Sequence, residues 1–227
     1  MAQKPPQIGY QHLLPNGFVI CSTRAEHAVQ LEELQNIVFP LLEPTERLRK
    51  EHYLKHIELF PEGQFVALDG TRVIGMTTTL RLSEKTIVRN HTFAEVTQGG
   101  FCTSHEPLGE WMYGVDVGTH PDYRRRGITR ALYQARHETC RRLGLKGQYS
   151  MGMLNGFAAV KDRYTLDEYY TKVVAKEVVD PTVSIQMRIG FQIKGLARDY
   201  LNDPTCGDAC VRLTLRTETA IEDGDCV

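Results

Sequence analysis

The chain has 227 residues, 41% hydrophobic and 24% charged, the mixture of an ordinary soluble globule able to bury a sizeable core as one large domain or two small ones. Its 27 Lys and Arg against 28 Asp and Glu leave a formal charge of −1, which excludes the global basic signature of a nucleic-acid or membrane-surface binder. The amino end MAQKPPQIGY lacks an apolar signal core, and no segment approaches the ~18 uninterrupted apolar residues of a membrane span, so a soluble cytoplasmic protein is expected.

Residues 1–17 are polar and proline-bearing and read as an extension. GFVICSTR then gives a short apolar run suited to a strand. Thr23 and Glu26, three apart ahead of Ala28, Leu31, Leu34 and Val38, predict a capping box opening an amphipathic helix that Pro40 and Pro44 end. Leu48, Leu54, Ile57 and Phe60 share a face of a second helix, stopped by Pro61. QFVALDGTRVIGMTTTL holds two β-rich runs about Asp69 and Gly70, a hairpin signal. Residues 84–110 carry His91, Glu95, His105 and Glu110 and read as a structured loop or an extra strand. WMYGVDV is a strand with Trp111, Tyr113, Val115 and Val117 on one face and Met112, Gly114 and Asp116 on the other.

A helix follows, with Ile128, Ala131, Leu132 and Ala135 on one face. Gly144 and Gly147 bracket a turn into the strand QYSMGML. Thr165 and Glu168 predict a second capping box, and Asp180 and Pro181 the N-cap and first residue of another short helix, closed by Gly190. FQIKGLARDYL and ACVRLTLR finish as strands, and residues 217–227 are an acidic tail expected to fray. The order β-α-α-β-β-β-α-β-α-α-β-β, without repeat or linker, describes one mixed α/β domain over residues 18–216. Six cysteines are scattered; Cys206 and Cys210 are the only close pair, and without zinc-type spacing the expectation is reduced thiols and no metal.

Arg124, Arg125 and Arg126 crowd a helix start, where the dipole and the unpaired N–H groups are already positive. An anion there resolves the conflict. N–H groups from Arg124 through Gly127 and Ile128 to Thr129 would then face phosphate oxygens, Gly127 would allow close approach, and the guanidinium groups would add charge-assisted bonds. Two joined phosphates fit better than one; a solvated basic turn is the alternative. The P-loop pattern is absent.

VDVGTHPDYRRRGITRAL resembles the acetyl-CoA turn of the GNAT acetyltransferases, whose R-x-x-G-x-G/A signature is met by Arg124 and Gly127. Thr129 departs from it: its larger side chain narrows the pyrophosphate approach or adds a hydroxyl to it. IQMRIGFQIKG is similar to the helix-Gly-Phe-strand passage closing that fold, and DEYYTKVVAKEVVDPTVSIQMRIGF, HTFAEVTQGG and TSHEPLGEWMYG resemble the GNAT domains fused to carbon-nitrogen hydrolases. The chain is too short to hold such a hydrolase as well, so a free-standing relative is expected. The resemblance implies a central mixed, mostly antiparallel sheet of about seven strands flanked by helices and splayed between its fourth and fifth strands.

It also implies acetyl transfer from acetyl-CoA to an amine by direct attack in a ternary complex, with backbone groups of Val115, Asp116 and Val117 facing the pantetheine. The family's usual acid tyrosine is replaced by Gln186, an amide that can orient the donor but not protonate a thiolate. Asp116, Glu110, Glu95 and His105 are alternative candidates for the base. Tyr113 reads as packing, while Tyr149 and Tyr164 stay open. The acceptor is an amine, small-molecule or peptide, with no nucleic acid or membrane, and a homodimer is allowed. A CoA or acyl-CoA sensor of the same fold is the other reading, favoured by Gln186 and Thr129.

Overall fold

The apolar runs assemble into one eight-stranded sheet in the computed structural model, which describes residues 9–221. Across the sheet lie β1 (Gln11–Leu13), β2 (Val19–Ser22), β3 (Phe65–Asp69), β4 (Arg72–Leu82), β5 (Trp111–Thr119), β6 (Gly147–Met153), β8 (Cys210–Arg216) and β7 (Gln192–Ala197). Neighbours are antiparallel except β5 and β6, whose parallel pairing goes with a crossover through helix α5 (Ile128–Arg142). The strand beyond the seven expected comes from the stretch read as an extension. Gly17, at φ +86°, turns Gln11–Leu13 back onto β2.

Helices α1 (Ala28–Val38) and α2 (Lys50–Leu59) cover one face, where Val38 meets Gly118 and Tyr53 meets Met76. Helix α5 covers the other, with Ile128 against Gly75. Two of the predicted helix starts differ in detail. Thr23 donates its N–H to the Gln64 carbonyl instead of capping α1, which is entered through a 3-10 turn closed by Arg24 N–H onto His27 Nδ1 at 3.1 Å. α2 buries His52, Tyr53 and His56 and leaves Leu54 exposed; His56 Nε2 lies 2.7 Å from the Gly100 carbonyl and Tyr53 Oη 3.1 Å from Gln35 Oε1, while His52 Nε2 and His56 Nδ1 are buried without a partner among the described residues.

Residues 84–110 hold no strand; they form α3 (Glu84–Ile87) and α4 (Phe93–Thr97), packed over Leu80, Leu82 and Trp111 through Ile87 and Val96. The Thr165–Glu168 box opens α6 (Leu166–Val174) as expected. α7 (Val183–Ile189) starts later than Asp180-Pro181 implies. Thr182 is its N-cap, while the Asp180 carboxylate accepts the N–H groups of Thr182 and Val183 at 2.8 Å. Thr217 and Thr219, at the start of the expected fraying tail, are pinned instead: Thr217 N–H bonds the Lys146 carbonyl and the Thr219 carbonyl lies 2.8 Å from His137 Nε2. Residues 222–227, Cys226 among them, lie outside the described residues. Cys206 and Cys210 are buried free thiols, and burial pushes the Cys206 thiol up to about 12.

Candidate active site

β5 and β6 pair from Trp111–Gly147 to Gly114–Ser150 and no further, so past Gly114 the two parallel strands part. A bulge coincides with the split. Thr78 faces Asp116 and Thr79 faces Gly114, which leaves Val115 without an opposite residue. One extra residue reverses the alternation, so the strict two-face reading of this strand fails after Gly114. Gly114 stays on the α5 side, where a Cβ would lie 2.4 Å from Arg136 Nη2, whereas Asp116 emerges toward Tyr53 of α2.

The parting leaves an open cleft, with about 80 Å³ of space for water-sized groups, lined by residues from both faces of the sheet. Gln35 of α1, Phe39 just past its end and Tyr200 line one side; Arg136 of α5 and Gln186 of α7 line the other. Val115, Asp116 and Val117 form its β5 wall. The Asp116 carboxylate accepts the Thr78 N–H at 2.5 Å and lies 3.4 Å from Tyr53 Oη. Burial pushes its pKa up to about 6, with the Thr78 and Tyr53 bonds and the Arg136 charge pulling the other way.

Tyr200 begins a line of hydrogen bonds out of the cleft. Its hydroxyl is 2.8 Å from that of Tyr113, which lies 2.9 Å from His91 Nε2. His91 Nδ1 meets the Arg89 carbonyl at 2.8 Å, so Nδ1 carries the proton and Nε2 accepts from Tyr113. Tyr113 thus does more than pack, though it also stacks on Tyr149 at 5.6 Å. Tyr164 lies away from the cleft beneath Lys172. Gln186 donates to Tyr133 Oη at 2.8 Å, while its Oε1 is buried without a partner.

At the start of α5, Gly127 sits at φ +79° as the N-cap, a left-handed conformation that glycine adopts without strain. Arg124, Arg125 and Arg126 are exposed, and no ion pair among the described residues includes them. The Arg124 N–H bonds the Pro121 carbonyl at 3.3 Å, so this one of the expected anion donors is already engaged. Thr129 turns its hydroxyl to Thr119 Oγ1 at 2.9 Å, tying the helix to the end of β5. Buried Ile128 anchors the turn on the core.

Three of the candidate bases lie outside the cleft lining. Glu110 accepts the Glu84 N–H at 3.1 Å and faces Lys146 at 3.9 Å. Glu95 is exposed and closes the capping box of α4 by accepting the Thr92 N–H at 2.8 Å. His105 accepts the Arg81 N–H at Nδ1 and stacks on Phe60; burial lowers its pKa. Sequence reasoning missed Arg136, Tyr53, Tyr200 and His91. The signal available for Arg136 was its place on the apolar face of α5, one residue after Ala135 and four after Leu132.

An open sheet parted between two parallel strands, above a helix whose start is ringed by arginines, defines a GNAT-like protein. In fold the chain is similar to the GNAT-like decarboxylase GphF solved with isobutyryl-CoA, at TM-score 0.73 and 16% identity over 88% of this chain and 99% of that one. The model of the acetyltransferase (GNAT) family matches residues 28–154. The uncharacterized N-acetyltransferase YkwB of Bacillus subtilis (strain 168) is 31% identical over 77% of each chain, and the probable hydrolase YhcX of the same organism 36% identical over 76% of this chain. The chain spans about a third (33%) of the length of YhcX. It belongs to the acetyltransferase (GNAT) family.

Among the described residues no helix is long and apolar enough to cross a membrane, and no group of His, Cys, Asp and Glu is placed to hold a metal ion.

Proposed function

We propose that the chain moves an acyl group, acetyl in the simplest case, from its CoA thioester to an amine held in the same cleft. The observation that carries this is the joint geometry of the split and the turn: a helix start with left-handed Gly127 and three exposed arginines stands at the end of the strand that forms one cleft wall. The turn suits a pyrophosphate, and the wall offers β5 backbone groups freed from pairing with β6 to the pantetheine and the thioester carbonyl.

In the reaction the amine nitrogen bonds the carbonyl carbon, the carbon–sulfur bond breaks, and the nitrogen gives up a proton. Asp116 is the base we assign, because it belongs to the β5 wall of the cleft and its carboxylate, with a pKa raised to about 6, ionises just below neutrality. The departing thiolate, with an ordinary pKa near ~8.5, takes its proton from water. Gln186, a residue of the cleft lining whose amide N–H is held by Tyr133, orients the donor. A broad amine panel with acetyl-CoA, read by free-thiol release, tests the proposal. Acceptor-dependent thiol supports transfer, whereas CoA binding without turnover on any amine leaves a sensor.

A further inference from the structure

Arg136 is 1% exposed, an extreme position for the most strongly basic side chain. Its one hydrogen bond among the described residues runs from Nη2 to Ser150 Oγ at 3.1 Å, and its Nε is buried with no partner. No ion pair among the described residues includes it. The acid nearest in effect, Asp116, is bonded to Thr78 and lies beside Tyr53 on the other side of the sheet. The Tyr133 ring, 4.9 Å from the guanidinium carbon, supplies a face but no charge.

A buried cation without an anion is costly, and its usual resolution is a paired carboxylate. Here the guanidinium lies at the cleft wall, over a glycine: a side chain at Gly114 would occupy the space of Nη1 and Nη2. Ser150 fixes one edge of the fork and leaves the rest open to a ligand with matching geometry.

Building on the proposed function, we infer that Arg136 is the seat of a substrate carboxylate, so the cleft takes a carboxylate-bearing substrate rather than a purely neutral one. Two sources could bring that group: the far end of a dicarboxylic acyl chain on the CoA donor, or the carboxylate of an amino-acid acceptor. Arg136 stands on the helix that begins at the arginine turn, nine positions past Gly127, or about 13 Å along the axis, and a donor running from that turn into the cleft would bring its acyl end toward it.

The test measures binding by calorimetry. Wild type is titrated with CoA, with succinyl-CoA against butyryl-CoA, which carries a methyl where succinyl has its carboxylate, and, at saturating CoA, with glycine, alanine and glutamate against their C-terminal amides. A charge-assisted bond predicts a preference for the carboxylate of at least about tenfold, lost in Arg136→Met, with affinity for CoA itself unchanged. Preference within the CoA thioesters assigns the donor, and preference among the amino acids the acceptor. If CoA binds but neither pair is discriminated, the inference is overturned and the proposed function stands; if CoA does not bind at all, the proposed function itself fails, and the inference with it. Should Arg136→Met not fold, the wild-type comparisons alone decide.

Discussion

Asp116 and the three other carboxylate or imidazole candidates differ in what already surrounds them, and that difference sets their chemistry. The folded pKa of Asp116, about 6, lies above the unfolded value of 3.8. Stability from this group is therefore complete below the unfolded value and is lost as pH rises through 6, on the order of 3 kcal/mol. Asp116→Asn should be the more tolerant of neutral pH in urea unfolding, its advantage over wild type growing between pH 4 and 6. The same variant should lose the ascending limb of the rate-against-pH curve centred near pH 6. A wild-type-shaped profile in Asp116→Asn would remove it as the base. Glu95→Gln serves as the contrast: it weakens the α4 capping box and should leave the pH profile untouched. Gln186→Ala removes no titrating group, so turnover should fall modestly with the profile's shape kept; complete loss of activity with CoA affinity unchanged would shift catalysis from an ionisable base to positioning beside Tyr133.

At the scale of elements, the start of α5 and the bulge in β5 do most to build the site. Gly127→Glu adds bulk and negative charge where phosphate is expected and forces a side chain into a left-handed backbone, so CoA affinity should fall by at least about a hundredfold in a thermal-shift titration. Retained affinity in the folded variant would leave the arginines as a solvated turn. The helix start was legible in the sequence because glycine and clustered arginines have a local physical meaning there. The bulge was not. Nothing in WMYGVDV distinguishes an unbroken seven-residue alternation from one interrupted at Val115, since the extra residue is set by register against β4, a property of the partner strand. The same limit applies to α2: the spacing of Leu54 and Ile57 looked like a core face, yet His52, Tyr53 and His56 are the buried residues, Tyr53 and His56 bonded to Gln35 and Gly100, which are distant in sequence.

For the molecule as a whole, the order of elements followed from turn signals and capping residues, whereas the mixed sheet and its split came only from the resemblance to the GNAT fold. The edge strand β1 escaped notice because three exposed residues carry no alternation to read. The cleft lining was the least legible part, since Arg136, Tyr200 and Asp116 come from three separate segments and share the cleft only in the folded chain. Everything proposed for the cleft depends on an acyl-CoA lying between β5 and β6 with its phosphates on the arginine turn. Calorimetric titration of the wild-type chain with CoA measures that directly. The account predicts saturable binding at one site per chain, weakened by salt because the arginines act through charge, and abolished in Gly127→Glu; a folded wild-type chain that shows no heat and no thermal shift at millimolar CoA would contradict it.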